Sequence, residues 1–245
     1  MLRWRGDSFR IDEFEYVCRP LAVNSFPSEP GRFCLLKPID AVEAFEELLL
    51  RVRPRSIVEV GMHDGASTAF FEQIARPAKI VGFDLRKDSS PALTDFIERR
   101  QLRSILRPYY NVDQSDAQHI REIIDFEFDG PVDLVVDDAS HLLNPTRQTF
   151  NALFPALGPG GIYVIEDWWW AHAERPIWID EAPLTALVFE LLLASAYEPE
   201  IVASVTASRD WASVIRGPTT LDETFDLSAC YGDRGRDLLP DMWRP

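Results

Sequence analysis

Apolar residues in this chain fall into short solid runs, separated by stretches in which they recur at helical spacing. Ser56–Val60, Lys79–Phe83, Val132–Val136 and Ile162–Ile165 are compact and rich in Val and Ile, the pattern of strands buried on both faces. Val42, Phe45, Leu48 and Leu49 mark a helix entered at Pro38, with Asp40 as its cap and Arg53-Pro54 as its stop. Further helices are expected over Ser67–Ile74, Pro91–Arg100, Asp116–Ile124 and Thr146–Leu157, and a short strand over Arg103–Leu106. Leu184–Ala196, interrupted by Glu190, reads as a buried helix. Two β-like runs between Ile201 and Ile215 flank Ser208-Arg209-Asp210 as a hairpin. Strands alternating with helices predict an α/β fold. It is Rossmann-like and doubly wound, with a mostly parallel sheet and a C-terminal antiparallel hairpin.

Residues 1–38 break this rhythm. Pro20, Pro27, Pro30 and Gly31 punctuate aromatic and charged residues, which predicts an irregular N-terminal arm or lid. The Rossmann-like domain is expected over 39–217 and a C-terminal tail over 218–245, with no internal repeat.

Charge narrows the partners. The 245 residues carry 25 Lys and Arg against 40 Asp and Glu, a formal net charge of −15. A phosphate backbone needs a basic surface, so nucleic acid is excluded as a partner. No segment has the apolar length of a membrane span, and the N-terminus lacks the apolar stretch of a signal peptide. Cys18, Cys34 and Cys230 are odd in number and scattered, showing neither zinc spacing nor a disulfide framework. A cytoplasmic protein is expected.

The candidate chemistry lies where the strands stop. Val132–Val136 runs into Asp137-Asp138-Ala139-Ser140-His141, and Ile162–Ile165 into Glu166-Asp167 and then Trp168-Trp169-Trp170. Ligands of α/β sheets bind beyond the carboxyl ends of the strands, so these acids and the histidine would share a crevice. Carboxylate oxygens suit Mg²⁺ or Ca²⁺, and a histidine accepts a proton near neutral pH. Asp137 could equally be buried or cap the following segment, and the tryptophans could be packing. Earlier in the chain, Glu59-Val60-Gly61-Met62-His63-Asp64-Gly65 joins a strand to a helix, and Asp84 ends the next strand. Glycines there allow a sharp turn and close approach to a ligand, though a tight turn alone would use them too.

The G-x-x-x-G loop with an acid two residues before it resembles motif I of class I S-adenosylmethionine-dependent methyltransferases. Asp84 matches their ribose-binding acid. Asp113-Gln114-Ser115-Asp116, Asp137-Asp138-Ala139-Ser140-His141 and Gly160-Gly161-Ile162-Tyr163-Val164-Ile165-Glu166-Asp167 are together similar to the macrolide-sugar O-methyltransferases. That group also includes cephalosporin hydroxylases and rhamnosyl O-methyltransferases. The resemblance implies S-adenosylmethionine and Mg²⁺ as cofactors, and a sugar or polyketide-like small molecule as hydroxyl acceptor. It places the methyl donor against Glu59, Gly61, Gly65, Ser67, Asp84, Asp113, Gln114 and Asp137, and the metal on Asp138, Glu166 and Asp167. His141 would be the general base, working with Asp138, and Trp168, Trp169 and Trp170 would face the acceptor. The N-terminal arm and the stretch after Trp170 would complete the acceptor pocket, within a homo-oligomer. Ala139 and Val112 stand where the family pattern has glycine. A hydroxylase or cyclase on the same scaffold, or a noncatalytic cofactor-binding protein, are the alternatives.

Overall fold

The computed structural model describes residues 1–20, 25–172, 182–235 and 237. Parts of the stretch after Trp170 and of the C-terminal tail therefore lie outside the described residues. The chain forms two compact units, divided between Asn111 and Val112.

The first unit opens with β1 (Ser8–Ile11), β2 (Phe14–Cys18) and β3 (Arg32–Leu35), which form a small sheet in that order. The sequence reading of this segment as irregular is thus corrected. Its strands are only four or five residues long and are broken up by turn residues, which hides their alternation. The inward positions are aromatic. Phe9 stacks on Tyr16 at 5.1 Å and Tyr16 on Phe33 at 5.2 Å, while Phe14 meets Phe96 edge-on at 4.8 Å. Each such buried ring contributes roughly 2–3 kcal/mol, so the segment is anchored by packing. The Tyr16 hydroxyl donates to Gln73 Oε1, and Arg100 ties Glu72 to Asp12 at 3.1 and 3.0 Å.

After these come α1 (Ile39–Val52), β4 (Ser56–Val60), α2 (Ala66–Ala75), β5 (Lys79–Asp84), α3 (Pro91–Arg99) and β6 (Leu106–Tyr110). The larger strands lie in the order β6-β5-β4, all parallel. Pro108 in β6 lacks an amide hydrogen, which suits a strand at a sheet edge. Two boundaries move. Pro38, not Asp40, occupies the cap position of α1, without a side-chain cap, and β6 begins at Leu106 rather than ending there.

The second unit comprises α4 (Ala117–Glu127), β7 (Val132–Asp137), α5 (Leu143–Leu153), β8 (Leu157–Glu166), α6 (Thr185–Tyr197), β9 (Val202–Ala207) and β10 (Trp211–Arg216). Its strands run β7-β8-β10-β9, with β7 parallel to β8 and the β9–β10 hairpin antiparallel, as the sequence predicts. Helix α5 starts three residues before the expected Thr146. Pro145 sits in its first turn, where an amide hydrogen has no helical partner to lose. It stops at Leu153, and β8 takes over at Leu157, passing through Gly160-Gly161. Helix α6 is apolar apart from Glu190 and a few small or terminal polar residues, and is only partly buried, with Phe189 40% and Leu192 43% exposed. Among the described residues no helix is long and apolar enough to cross a membrane.

Candidate active site

In the first unit the loop between β4 and α2 is shaped by its backbone. Gly61 (φ 90°), His63 (φ 49°) and Gly65 (φ 80°) all lie in the left-handed region. A Cβ on Gly65 would meet the Leu93 side chain at 2.7 Å, so this glycine is required by packing whether or not a ligand binds. Asp84, at the end of β5, holds the loop from outside: its Oδ2 accepts the His63 amide at 2.6 Å and its Oδ1 the Arg86 amide at 2.9 Å. Arg86, which the motif reading overlooked, adds bonds from Nη1 to the His63 carbonyl at 2.6 Å and to Asp64 Oδ1 at 2.7 Å. Glu59 is wholly buried and accepts the Thr68 hydroxyl, fixing β4 to the start of α2. Ser67 is buried in the first turn of that helix.

In the second unit the loop after β7 and the end of β8 converge. Asp138, His141 and Asp167 each offer a ligand atom, and these atoms lie within 4.8 Å of one another. His141 Nε2 is 3.8 Å from Asp138 Oδ1, with side chains 12% and 22% exposed. The backbones of His141 and Asp167 are left-handed, at φ 56° and 52°. Non-glycine residues held this way cluster at functional sites, because surrounding structure must sustain the strain. The two carboxylates offer oxygen donors that suit a hard divalent cation, and the imidazole lies beside them as a proton acceptor. Glu166, the third expected ligand, is buried at the end of β8, opposite Trp211, and is not one of the three that converge.

Two residues expected at the methyl donor are hydrogen-bonded within the second unit. Asp137 is 3% exposed and accepts from the Tyr163 hydroxyl at 2.9 Å. Burial pushes its carboxyl up to about 7, against the hydrogen bonds from Tyr163 and the Ala139 amide. Gln114 is also buried. Its Oε1 accepts the Ser140 amide at 2.9 Å and its Nε2 donates to Thr149 Oγ1 at 3.1 Å, so it braces the loop that carries His141. Asp113 is exposed and turns its Oδ1 onto the Ser115 amide, while Asp116 caps α4.

The tryptophans divide. Trp168 Nε1 donates to the Ser208 carbonyl at 2.8 Å, and Arg209 lies 5.1 Å over the Trp169 ring, so both belong to the turn of the β9–β10 hairpin. Trp170 packs on His141, with ring centroids 4.7 Å apart. Sequence reasoning missed Tyr163, Thr149 and Arg86. Tyr163 had a readable signal, a phenol inside an otherwise aliphatic strand, and buried tyrosines need a hydroxyl partner.

Residues 58–168 match the family model described as "Methyltransferase domain". Mycinamicin VI 2''-O-methyltransferase of Micromonospora griseorubida is 34% identical over 108 residues, 44% of this chain and 24% of that protein. The 8-demethyl-8-alpha-L-rhamnosyl tetracenomycin-C 2'-O-methyltransferase of Streptomyces olivaceus is 47% identical over 55 residues, 22% of this chain and 14% of the other. Among solved structures, MycE methyltransferase from the mycinamycin pathway, in complex with Mg, SAH and mycinamycin VI, superposes with a TM-score of 0.56. It is 25% identical, and the match covers 72% of this chain and 49% of that one. This chain therefore spans about half or less of the length of the relatives it matches. Residues 58–168 thus match a methyltransferase domain and are similar in sequence to the macrolide-sugar and rhamnosyl O-methyltransferases.

Proposed function

We propose that this protein is a Mg²⁺-dependent O-methyltransferase. It moves a methyl group from S-adenosylmethionine to a hydroxyl of a small-molecule acceptor, a sugar moiety or polyketide-like natural product. The observation that carries this reading is the convergence of Asp138, His141 and Asp167 at the ends of β7 and β8, inside the methyltransferase domain. The relatives' named acceptors, a macrolide and a rhamnosylated tetracenomycin, supply the substrate class.

The residues divide the work. Glu59, Gly61, Gly65, Ser67 and Asp84 shape the donor's seat, with Asp113 on the adenine side. Asp137 and Gln114, committed to Tyr163, Ser140 and Thr149, hold the loops of the second unit in place. Asp138 and Asp167, with Glu166 behind them, take the metal, which when bound would stabilise negative charge on the acceptor oxygen. His141 removes the hydroxyl proton, and the freed oxygen pair attacks the sulfonium methyl in line. The carbon–sulfur bond breaks and its electrons stay on sulfur, leaving S-adenosylhomocysteine, the methyl ether and a protonated His141. Trp170 offers an aromatic face to the acceptor, and a cytoplasmic homo-oligomer is the expected form.

Calorimetric titration with S-adenosylhomocysteine tests the donor site; no heat at millimolar ligand would sink the reading. Incubation with methyl-labelled S-adenosylmethionine and a cell extract should yield a labelled glycoside or polyketide product. EDTA should abolish labelling, Mg²⁺ should restore it, and Asp138→Ala should block the restoration.

A further inference from the structure

At the opposite end of the second unit's strands lies a cavity of about 330 Å³, where β7 and β8 begin and β10 ends. One of its walls is Arg216, the last residue of β10, which is only 3% exposed. Its Nη1 donates to the Gly217 carbonyl at 2.7 Å, its Nη2 to the Thr219 carbonyl, and its guanidinium lies 5.5 Å from the Phe154 ring centroid. The Nε–H is buried and has no acceptor. Among the described residues no carboxylate pairs with this arginine.

A buried guanidinium without a counter-ion is costly, because two carbonyls and a ring face replace only part of the lost hydration and none of it at Nε. Elsewhere in this unit the buried carboxylate of Glu190 meets Arg147. Burial lowers the Arg216 pKa, and no acid is near enough to oppose the shift. Asp125 also lines the cavity, but it is exposed and therefore solvated. The remaining walls are mainly apolar, including Ile124, Phe128, Leu157 and Leu221, with several prolines. Prolines add rigid surface and no amide hydrogens, so the arginine and the Thr219 and Thr220 segment supply the polar recognition.

We propose that this cavity binds a small organic carboxylate, with the anion on Arg216 and the apolar body against Ile124, Phe128 and Leu221. An inorganic oxyanion shares the charge but not the apolar part, and would leave most of the cavity wall uncovered. The site stands apart from Asp138, His141 and Asp167, and rests on no part of the methyl-transfer reading.

The test uses the full chain labelled with ¹⁵N-arginine, titrated separately with benzoate and with inorganic phosphate. Benzoate should move the Arg216 Nε–Hε signal saturably. Arg216→Gln should weaken benzoate binding roughly tenfold or more, as loss of a charge-assisted hydrogen bond does. Leu221→Trp, which fills the cavity and keeps the arginine, should weaken it likewise, so the proposal remains testable if Arg216→Gln does not fold. No shift of the Nε–Hε signal with millimolar benzoate would overturn the site. Phosphate binding as tightly as benzoate would overturn the ligand class.

Discussion

His141 presents its Nε2 3.8 Å from Asp138 Oδ1, from a backbone held at φ 56°. The position therefore selects for two properties at once, an imidazole and tolerance of the left-handed region. Asparagine shares the second property and lacks the first. His141→Asn should accordingly keep the melting temperature near wild type while kcat falls about 10²- to 10⁴-fold, the usual worth of a general base. His141→Val should lose both, since a β-branched residue is strained at positive φ. An Asn variant with wild-type kcat would remove His141 from the proton transfer.

Gln114 bonds Ser140, in the loop after β7, on one side and Thr149, in helix α5, on the other. Its side-chain hydrogen bonds go to Ser140 and Thr149, not to the converging acid–histidine set, so its expected effect there is one of positioning. Gln114→Leu leaves the half-buried Ser140 amide without its acceptor, at a cost of about 1–3 kcal/mol, while the Thr149 hydroxyl keeps the Gln114 and Pro145 carbonyls. The loop from Asp138 to His141 should loosen, lowering kcat more than it raises the donor KM. Gln114→Glu restores the acceptor for Ser140 and should recover part of kcat. If both variants lost donor affinity alone and kept kcat, Gln114 would be a donor ligand as the motif resemblance implied.

The sequence made some parts of this molecule plain and hid others for physical reasons. β4, β5, β7 and the second half of β8 stood out because a strand buried on both faces has to be apolar throughout. Asp138, His141 and Asp167 were legible because they follow those strands at once, where chain direction fixes the end of the sheet they occupy. β1 to β3 were not legible: strands of four or five residues hold too few alternations, and their cohesion comes from ring contacts between residues distant in sequence, such as the edge-on pair Tyr16 and Phe70. Asp137 was ambiguous for a related reason. Adjacent residues on a strand end point oppositely, and only the placement of Tyr163 shows which acid faces inward. Arg216 gave no signal, since a buried arginine and an exposed one read alike.

Arg86 and Asp64 make the glycine loop sensitive to acid. Burial by itself would raise the Asp64 carboxyl, but the Arg86 hydrogen bond, the Ser28 amide and the charges of His63 and Arg86 outweigh it and hold it below its usual value. A carboxyl lowered in the folded state contributes stability above its unfolded pKa of about 3.9, and loses it as pH falls through the folded value. Arg86→Met removes the leading favourable contribution and leaves burial. The stability gap between wild type and Arg86→Met should thus be small near pH 3 and widen above about pH 4. Urea unfolding across that range measures it, and a gap independent of pH would show that Asp64 draws nothing from Arg86.

Glu190 is the polar interruption in the otherwise apolar helix α6, and the fold answers it with Arg147 from α5. Arg147 Nε lies 3.0 Å from Glu190 Oε2 and Nη2 pairs with Oε1, a two-bond fork onto a carboxylate that is 4% exposed. Such a pair gains little over apolar packing, because desolvation offsets most of the attraction, but breaking it on one side strands a buried charge. Arg147→Met should therefore destabilise the protein by roughly 3–5 kcal/mol. Adding Glu190→Leu should recover most of that loss, since the cavity is then filled by two apolar side chains of similar size. The order of melting temperatures decides the matter. A double variant no more stable than Arg147→Met would mean that the arginine acts through Asn144, its other partner at 3.1 Å, and that Glu190 is tolerated in α6 without it.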